Sequence, residues 1–190
     1  MARSPSTSPS IKGRKVALMG SRSVGKTSLI KHQFVDRYYP TIESSFTKDL
    51  VVGGQRFSLE VHDTAGQDEH SALPTRQAAA LNGFVLVYSL AWRASFDMLP
   101  AVRDKILDAL GVSTVPMVLV GNKLDLASSS RAVSKEEGAA LAKSWGCGFV
   151  ETSAATNANV TAVFELLVTA VEAAMDPPPS EEAGDGCVVS

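Results

Sequence analysis

The chain has 190 residues, 45% of them hydrophobic and 20% charged, and a formal net charge of −2. That is enough chain for one globular domain with a full core, and the charge balance offers no basic field for nucleic acid. No run is long and apolar enough for a membrane-spanning helix, the opening MARSPSTSPS lacks the apolar stretch of a signal peptide, and the only cysteines, Cys147 and Cys187, argue for a reducing, cytosolic setting without a disulfide framework.

Residues 1–12 are rich in Ser and Pro and are expected to be disordered. From 13 to 175 short β-type runs alternate with helical stretches. Strands are predicted at Lys15–Met19, Phe46–Val52, Phe57–His62, Phe84–Ser89, Val115–Val120 and Gly148–Glu151. The runs at 84–89 and 115–120 are nearly continuous apolar stretches, as strands covered on both faces require. Arg93–Leu110 reads as helix, but Pro100 cannot sit in an interior turn, so the main helix either begins near Pro100 or bends there. Ser134 followed by Glu137 makes a capping box for a helix toward Trp145, with Gly146 just past its end. Val160, Val163, Phe164, Leu167, Val168 and Val171 recur at helical spacing and define one buried stripe. The alternation predicts an α/β fold: a doubly wound, mostly parallel six-stranded sheet with helices on both faces. After Met175 a Pro- and acid-rich stretch, 176–190, reads as a flexible tail.

The chemistry-bearing motifs sit between these elements. Gly20-Ser-Arg-Ser-Val-Gly25-Lys26-Thr27 matches G-x-x-x-x-G-K-[ST], with a strand before it and a helix after it. Its glycines let successive N–H groups turn inward as an anion nest, and the helix N-terminus adds positive potential. Lys26 supplies charge to the outer phosphates, and the Thr27 hydroxyl can ligate Mg²⁺. Tyr39-Pro-Thr41-Ile-Glu43 offers Thr41 as a second hydroxyl for the metal. Asp63-Thr-Ala-Gly66-Gln67 offers Asp63 as a metal partner through water, the Gly66 N–H for a γ-phosphate and Gln67 to orient an attacking water. Two loops tethered only by Mg²⁺ and a γ-phosphate would order with GTP and release after hydrolysis. In Asn122-Lys123-Leu-Asp125, the carboxylate of Asp125 can accept two hydrogen bonds from guanine and rejects adenine, and the stem of Lys123 can cover the base. Thr152-Ser153-Ala154 has two readings: either the Ala154 N–H reaches the guanine oxygen, or the segment caps the last helix. A P-loop kinase of a small substrate is disfavoured by the guanine motif and by the lack of an Arg-rich lid.

These elements, in this order from Lys15 to about Ala174, resemble the small GTPases of the Ras superfamily, and within it the Rheb family. The closer likeness rests on Arg22-Ser-Val-Gly-Lys, Phe46-Thr47-Lys48, Asp68-Glu69 after Gln67, Leu86-Val87-Tyr88-Ser89 and Glu136-Glu137-Gly138 through Ser144-Trp145. The resemblance implies a monomeric GTP/GDP switch that hydrolyses GTP slowly, with Gln67, Lys26 and Thr41 as catalytic residues. It adds Ser23, Val24, Ser28, Phe34, Tyr38 and Ser153 to the nucleotide-contacting set. It further implies that the GTP form promotes a TOR kinase complex through residues Tyr39–Thr47, and that a tuberin-type GTPase-activating protein turns it off. A mostly GTP-bound, membrane-tethered scaffold is the competing reading. The chain departs from the family in the stretch from Lys26 to Thr41, which is shorter by about one helical turn, roughly four residues, and at His70 and Ala155, where the family usually carries Tyr and Lys. Arg22 stands where many Ras-like proteins have Gly. It should crowd the space used by the glutamine and by an inserted arginine, so slow intrinsic hydrolysis and a different kind of activator are expected.

The last four residues, Cys187-Val-Val-Ser190, form a C-a-a-X box whose Ser favours farnesylation of Cys187. One prenyl chain binds membranes weakly, and the acidic tail gives no help at an anionic leaflet. Reversible attachment to the cytosolic face of internal membranes is therefore expected.

Overall fold

The computed structural model describes residues 10–34, 44–64 and 75–176. In chain order these form β1 (Lys12–Met19), α1 (Lys26–Phe34), β2 (Ser44–Val52), β3 (Gln55–Asp63), α2 (Thr75–Ala79), β4 (Gly83–Ser89), α3 (Arg93–Asp97), α4 (Leu99–Leu110), β5 (Met117–Asn122), a 3₁₀ turn (Leu124–Leu126), α5 (Ala127–Ser130), α6 (Lys135–Trp145), β6 (Gly148–Glu151) and α7 (Val160–Met175). One six-stranded sheet has the order β2-β3-β1-β4-β5-β6. Only β2–β3 pairs antiparallel, across the Gly53-Gly54 turn; the other neighbours run parallel. This is the mostly parallel, doubly wound sheet expected from the alternating pattern.

Side-chain alternation explains why the sheet needs two layers of helix. On one face Val16, Leu18, Phe57, Leu59, Val61, Val85, Val87, Val118 and Val120 pack against α1 and the buried stripe of α7. On the other, Ala17, Met19, Phe84, Leu86, Tyr88 and Leu119 pack against α3, α4 and α6. Every residue of β4 and β5 is buried, which is why both read as continuous apolar runs. Tyr88 lies edge-on to Phe96 at 4.9 Å. Its hydroxyl fills the space that a Cβ on Gly138 would need, 2.6 Å away, so a mid-helix glycine lets α6 sit close to the sheet.

Several boundaries move from their sequence positions for physical reasons. β1 starts at Lys12 rather than Lys15, inside the segment expected to be disordered. Lys12 and Arg14 both reach Glu172 of α7 at 2.6 Å, so ion pairing holds a stretch with no apolar signal. The Arg93–Leu110 helix is two helices. Pro100 sits in the first turn of α4, where its missing N–H would be unsatisfied anyway, so the helix begins anew rather than bending. β5 starts at Met117, just after Pro116, and runs on through Asn122, so the guanine motif begins inside the strand. The capping box at Ser134–Glu137 forms as read, with Gly146 left-handed at the C-cap. Among the described residues no helix is long and apolar enough to cross a membrane. Residues 1–9 and the 177–190 tail, with Cys187, lie outside the described residues.

Candidate functional site

The parallel strands β1, β4 and β5 end at one edge of the sheet, and the loops that follow β1, β3, β5 and β6 converge there. Crevices beyond the carboxyl ends of parallel strands are where open α/β sheets bind ligands. The loop after β1 has left-handed or extended-glycine backbone at Gly20 (φ 135°), Ser23 (φ 60°) and Gly25 (φ 98°). Neither glycine can be replaced. A Cβ on Gly20 would lie 2.1 Å from the Val87 carbonyl oxygen, and one on Gly25 would lie 2.3 Å from Asn122 Nδ2. The loop is thus pressed against β4 and β5, with backbone conformations of the kind that build an anion nest at the start of α1.

Lys26 is buried, and its Nζ donates to the carbonyls of Gly20 (2.9 Å) and Ser21 (2.8 Å), closing the loop on itself. Burial lowers the pKa of Lys26, and the negative charge of Asp63 partly offsets this. The first turn of α1 carries Thr27 and Ser28, both exposed. Thr27 Oγ1 donates to Asp63 Oδ2 at 2.5 Å, so a hydroxyl from the start of α1 and a carboxylate from the end of β3 meet at the loop mouth. The other carboxylate oxygen, Asp63 Oδ1, is buried and has no hydrogen-bond partner among the described residues. A carboxylate oxygen kept from water and left unsatisfied suits a cation or its bound water, and the donor set is the hard-oxygen type that Mg²⁺ prefers. Thr64, next in the chain, donates to the Leu18 carbonyl at 2.6 Å and pins the end of β3 to β1.

On the other side of the crevice Asn122 is the hub. It is 1% exposed. Its Nδ2 donates to the Val24 carbonyl at 2.8 Å, and its Oδ1 accepts from Thr152 Oγ1 and from the Ala154 N–H, both at 3.2 Å. One side chain therefore joins the phosphate-type loop, the loop after β5 and the loop after β6. Lys123 takes a left-handed conformation (φ 68°), which turns the chain into the 3₁₀ segment bearing Asp125. Asp125 is exposed, and its Oδ1 accepts from Ser153 Oγ at 2.5 Å, which fixes the rotation of the carboxylate. Leu124 N–H donates to the Thr152 carbonyl at 2.9 Å, locking the two loops side by side.

The structure thus gathers Gly20, Ser23, Val24, Gly25, Lys26, Thr27, Ser28, Asp63, Asn122, Lys123, Asp125, Ser153 and Ala154 at one edge. It excludes one of the two readings of Thr152–Ala154. α7 begins only at Val160, after Asn159, so the segment is no helix cap. It also gives two residues duties that the sequence reading did not assign. Asn122 ties three loops, and the Ala154 N–H meets Asn122. Thr41, Tyr38, Gly66 and Gln67 lie outside the described residues, as does the side chain of Phe34. Two contacts were missed by sequence reasoning: that of Thr64, whose only signal was a hydroxyl beside Asp63, and the bond from the buried Thr152 hydroxyl to Asn122, in a segment read only for the base or a cap.

The sequence pattern of the Ras family matches residues 15–173. The chain is 48% identical over 184 residues to the GTP-binding protein rhb1 of Schizosaccharomyces pombe, covering 95% of this chain and 98% of that protein. It is 48% identical over 177 residues to the small monomeric GTPase RhbA of Aspergillus fumigatus, covering 91% and 94%. It is 45% identical over 168 residues to the GTP-binding protein Rheb of Homo sapiens, covering 86% and 91%.

Proposed function

We propose a working cycle for this chain from the premise that it belongs to the Ras family. It is a Rheb-like small GTPase, a switch that binds guanine nucleotide and hydrolyses GTP. The G domain spans 13–175 and acts as a monomer. The N–H groups of the Gly20–Thr27 loop and the first turn of α1 cradle the phosphates. Lys26, already desolvated and held at the loop's centre, exchanges its carbonyl partners for phosphate oxygens. Asp125 reads the guanine N–H pair, with Ser153 holding the carboxylate in register and Lys123 covering the base.

Thr27 and Asp63, with Thr41, are the residues that would hold Mg²⁺, which when bound neutralises phosphate charge during cleavage. The unsatisfied Asp63 Oδ1 supports that assignment. Gly66 is assigned to the γ-phosphate and Gln67 to orienting the attacking water. Thr41 and Gly66 sit on the two segments that would follow the state of the nucleotide. The GTP form acts on a TOR-type kinase complex through the surface around Tyr39–Thr47, a tuberin-type activator ends the signal, and farnesylated Cys187 holds the chain on internal membranes.

The observation that carries this reading is the Asn122 hub. It makes the base-reading and phosphate-binding loops one rigid frame, so a guanine nucleotide is measured end to end. The non-switching scaffold is not favoured, since a relative matched over 91% of this chain is named a GTPase. Single-turnover GTP hydrolysis, with and without a tuberin-type activator, tests the cycle. Slow cleavage that the activator accelerates is expected, and GTP left intact under both conditions would overturn it.

A further inference from the structure

Between the two base-reading loops lies an ion pair that touches neither the phosphate loop nor the residues assigned to the base. Arg131 follows α5 and Glu151 ends β6. Their side chains meet as a two-pronged fork, Nη1–Oε1 at 2.6 Å and Nη2–Oε2 at 3.0 Å. The Glu151 side chain is only 9% exposed, while that of Arg131 is 29% exposed, so the carboxylate is shielded and the guanidinium keeps one side to solvent. Paired guanidinium–carboxylate bonds of this kind fix orientation as well as distance.

The placement matters more than the contact. Glu151 immediately precedes Thr152-Ser153-Ala154, and its main-chain carbonyl accepts from Asn159 Nδ2 at 2.9 Å. Arg131 closes the excursion that begins at Asn122 and carries Asp125 through the 3₁₀ turn and α5. The next residues anchor that excursion to the end of β4, with the Ala132 N–H on the Leu90 carbonyl at 2.7 Å. Arg131 Nη1 also donates to the Val133 carbonyl at 3.2 Å. The inner ends of the two loops are joined by Asn122, Ser153–Asp125 and Leu124–Thr152. The far end of the Asp125-bearing excursion is joined to β6 through Arg131.

We propose that Arg131 and Glu151 are positioning residues for guanine nucleotide: they clamp the Asp125 loop against the Ser153 loop, and their fork sets how long bound nucleotide is retained. This rests on the switch reading above and adds to it a control over nucleotide residence that is separate from the cleavage chemistry. Opening the clamp lets the Asp125 carboxylate swing from the base while the phosphate loop, Lys26 and Thr27 stay in place. Release then quickens, and cleavage of nucleotide still bound does not change.

The test uses the full chain loaded with a fluorescent GDP analogue and chased with excess GDP. Arg131→Met and Glu151→Gln are each expected to release the label about tenfold faster. Arg131→Lys should fall between them and the parent, because an ammonium cannot make the fork. The charge-swapped double variant, Arg131→Glu with Glu151→Arg, should return release toward the parental rate. Single-turnover GTP hydrolysis in the loaded variants should match the parent. Parental release rates in both single variants would overturn the clamp alone, as would a loss of hydrolysis in step with release, which marks general loosening. A parent chain that retains no guanine nucleotide would overturn the switch reading itself and the clamp with it.

Discussion

Asn122→Ala is expected to loosen the whole nucleotide end of the molecule rather than a single contact. The substitution removes one short hydrogen bond, to the Val24 carbonyl at 2.8 Å, and two longer ones, from Thr152 Oγ1 and the Ala154 N–H at 3.2 Å. It leaves those three groups to find new partners where the parent side chain is 1% exposed. An orphaned buried group costs about 1–3 kcal/mol, so weighting the short bond fully and the two long ones by half, two bond-equivalents in all, gives about 2–6 kcal/mol. In a domain of this size 1 kcal/mol moves the melting temperature by about 2–4 °C, so the nucleotide-free protein should melt about 4–24 °C lower. Calorimetry on nucleotide-free parent and variant measures this directly. Asn122→Asp is the sharper probe. It keeps the acceptor for Thr152 and Ala154 but sets a carboxylate oxygen against the Val24 carbonyl, so it should be no better tolerated than Ala. A melting temperature within about 2 °C of the parent for either variant, or a stable Asp variant, would refute the hub.

Three further outcomes follow from other sites. Asp125→Ala should weaken GDP binding by about two orders of magnitude or more and erase the preference over ADP, because the paired acceptor for guanine is gone; titration calorimetry with both nucleotides decides, and a surviving preference counts against the assignment. Arg93 and the Ser134 cap hold the Glu137 carboxyl down at about 2, against an ordinary 4.5, so its stabilisation is complete above 4.5 and is lost as pH falls toward 2. Glu137→Gln should flatten the unfolding profile in that acid window only, and parallel profiles would contradict it. On the expectation that Arg22 crowds the cleavage site, Arg22→Gly should hydrolyse GTP faster in single turnover; a slower variant would contradict the crowding account.

Much of this architecture is legible in the chain itself. The order of strands and helices, the fully buried β4 and β5, the capping box of α6 and the stripe of α7 all follow from local periodicity and end signals. The phosphate-type loop is legible because glycine at positions 20 and 25 and Lys-Thr behind them form a local pattern. What the pattern misses is polar and long-range. Lys12–Arg14 carry no apolar signal, and their place in β1 rests on long-range partners: the ladder to Phe57–Leu59 of β3 and the ion pairs to Glu172 of α7. Pro100 marked a discontinuity, yet choosing between a bend and a fresh start needed the backbone, which restarts the helix at Leu99.

The sequence by itself determined which chemistry is present: an anion loop with a lysine, a hydroxyl and a carboxylate for a hard cation, and an acid suited to guanine. Those properties belong to residue types and short spacings, and they hold in any arrangement that keeps the strand, loop and helix. The tertiary structure alone decided which groups act together. Asn122 reaches partners 98, 30 and 32 residues away, and Arg131 meets Glu151 20 residues on. Such bonds depend on β1, β4, β5 and β6 lying side by side with a particular register. Local sequence sets what a side chain can donate or accept, but the order of strands sets which donor and acceptor share the same buried space.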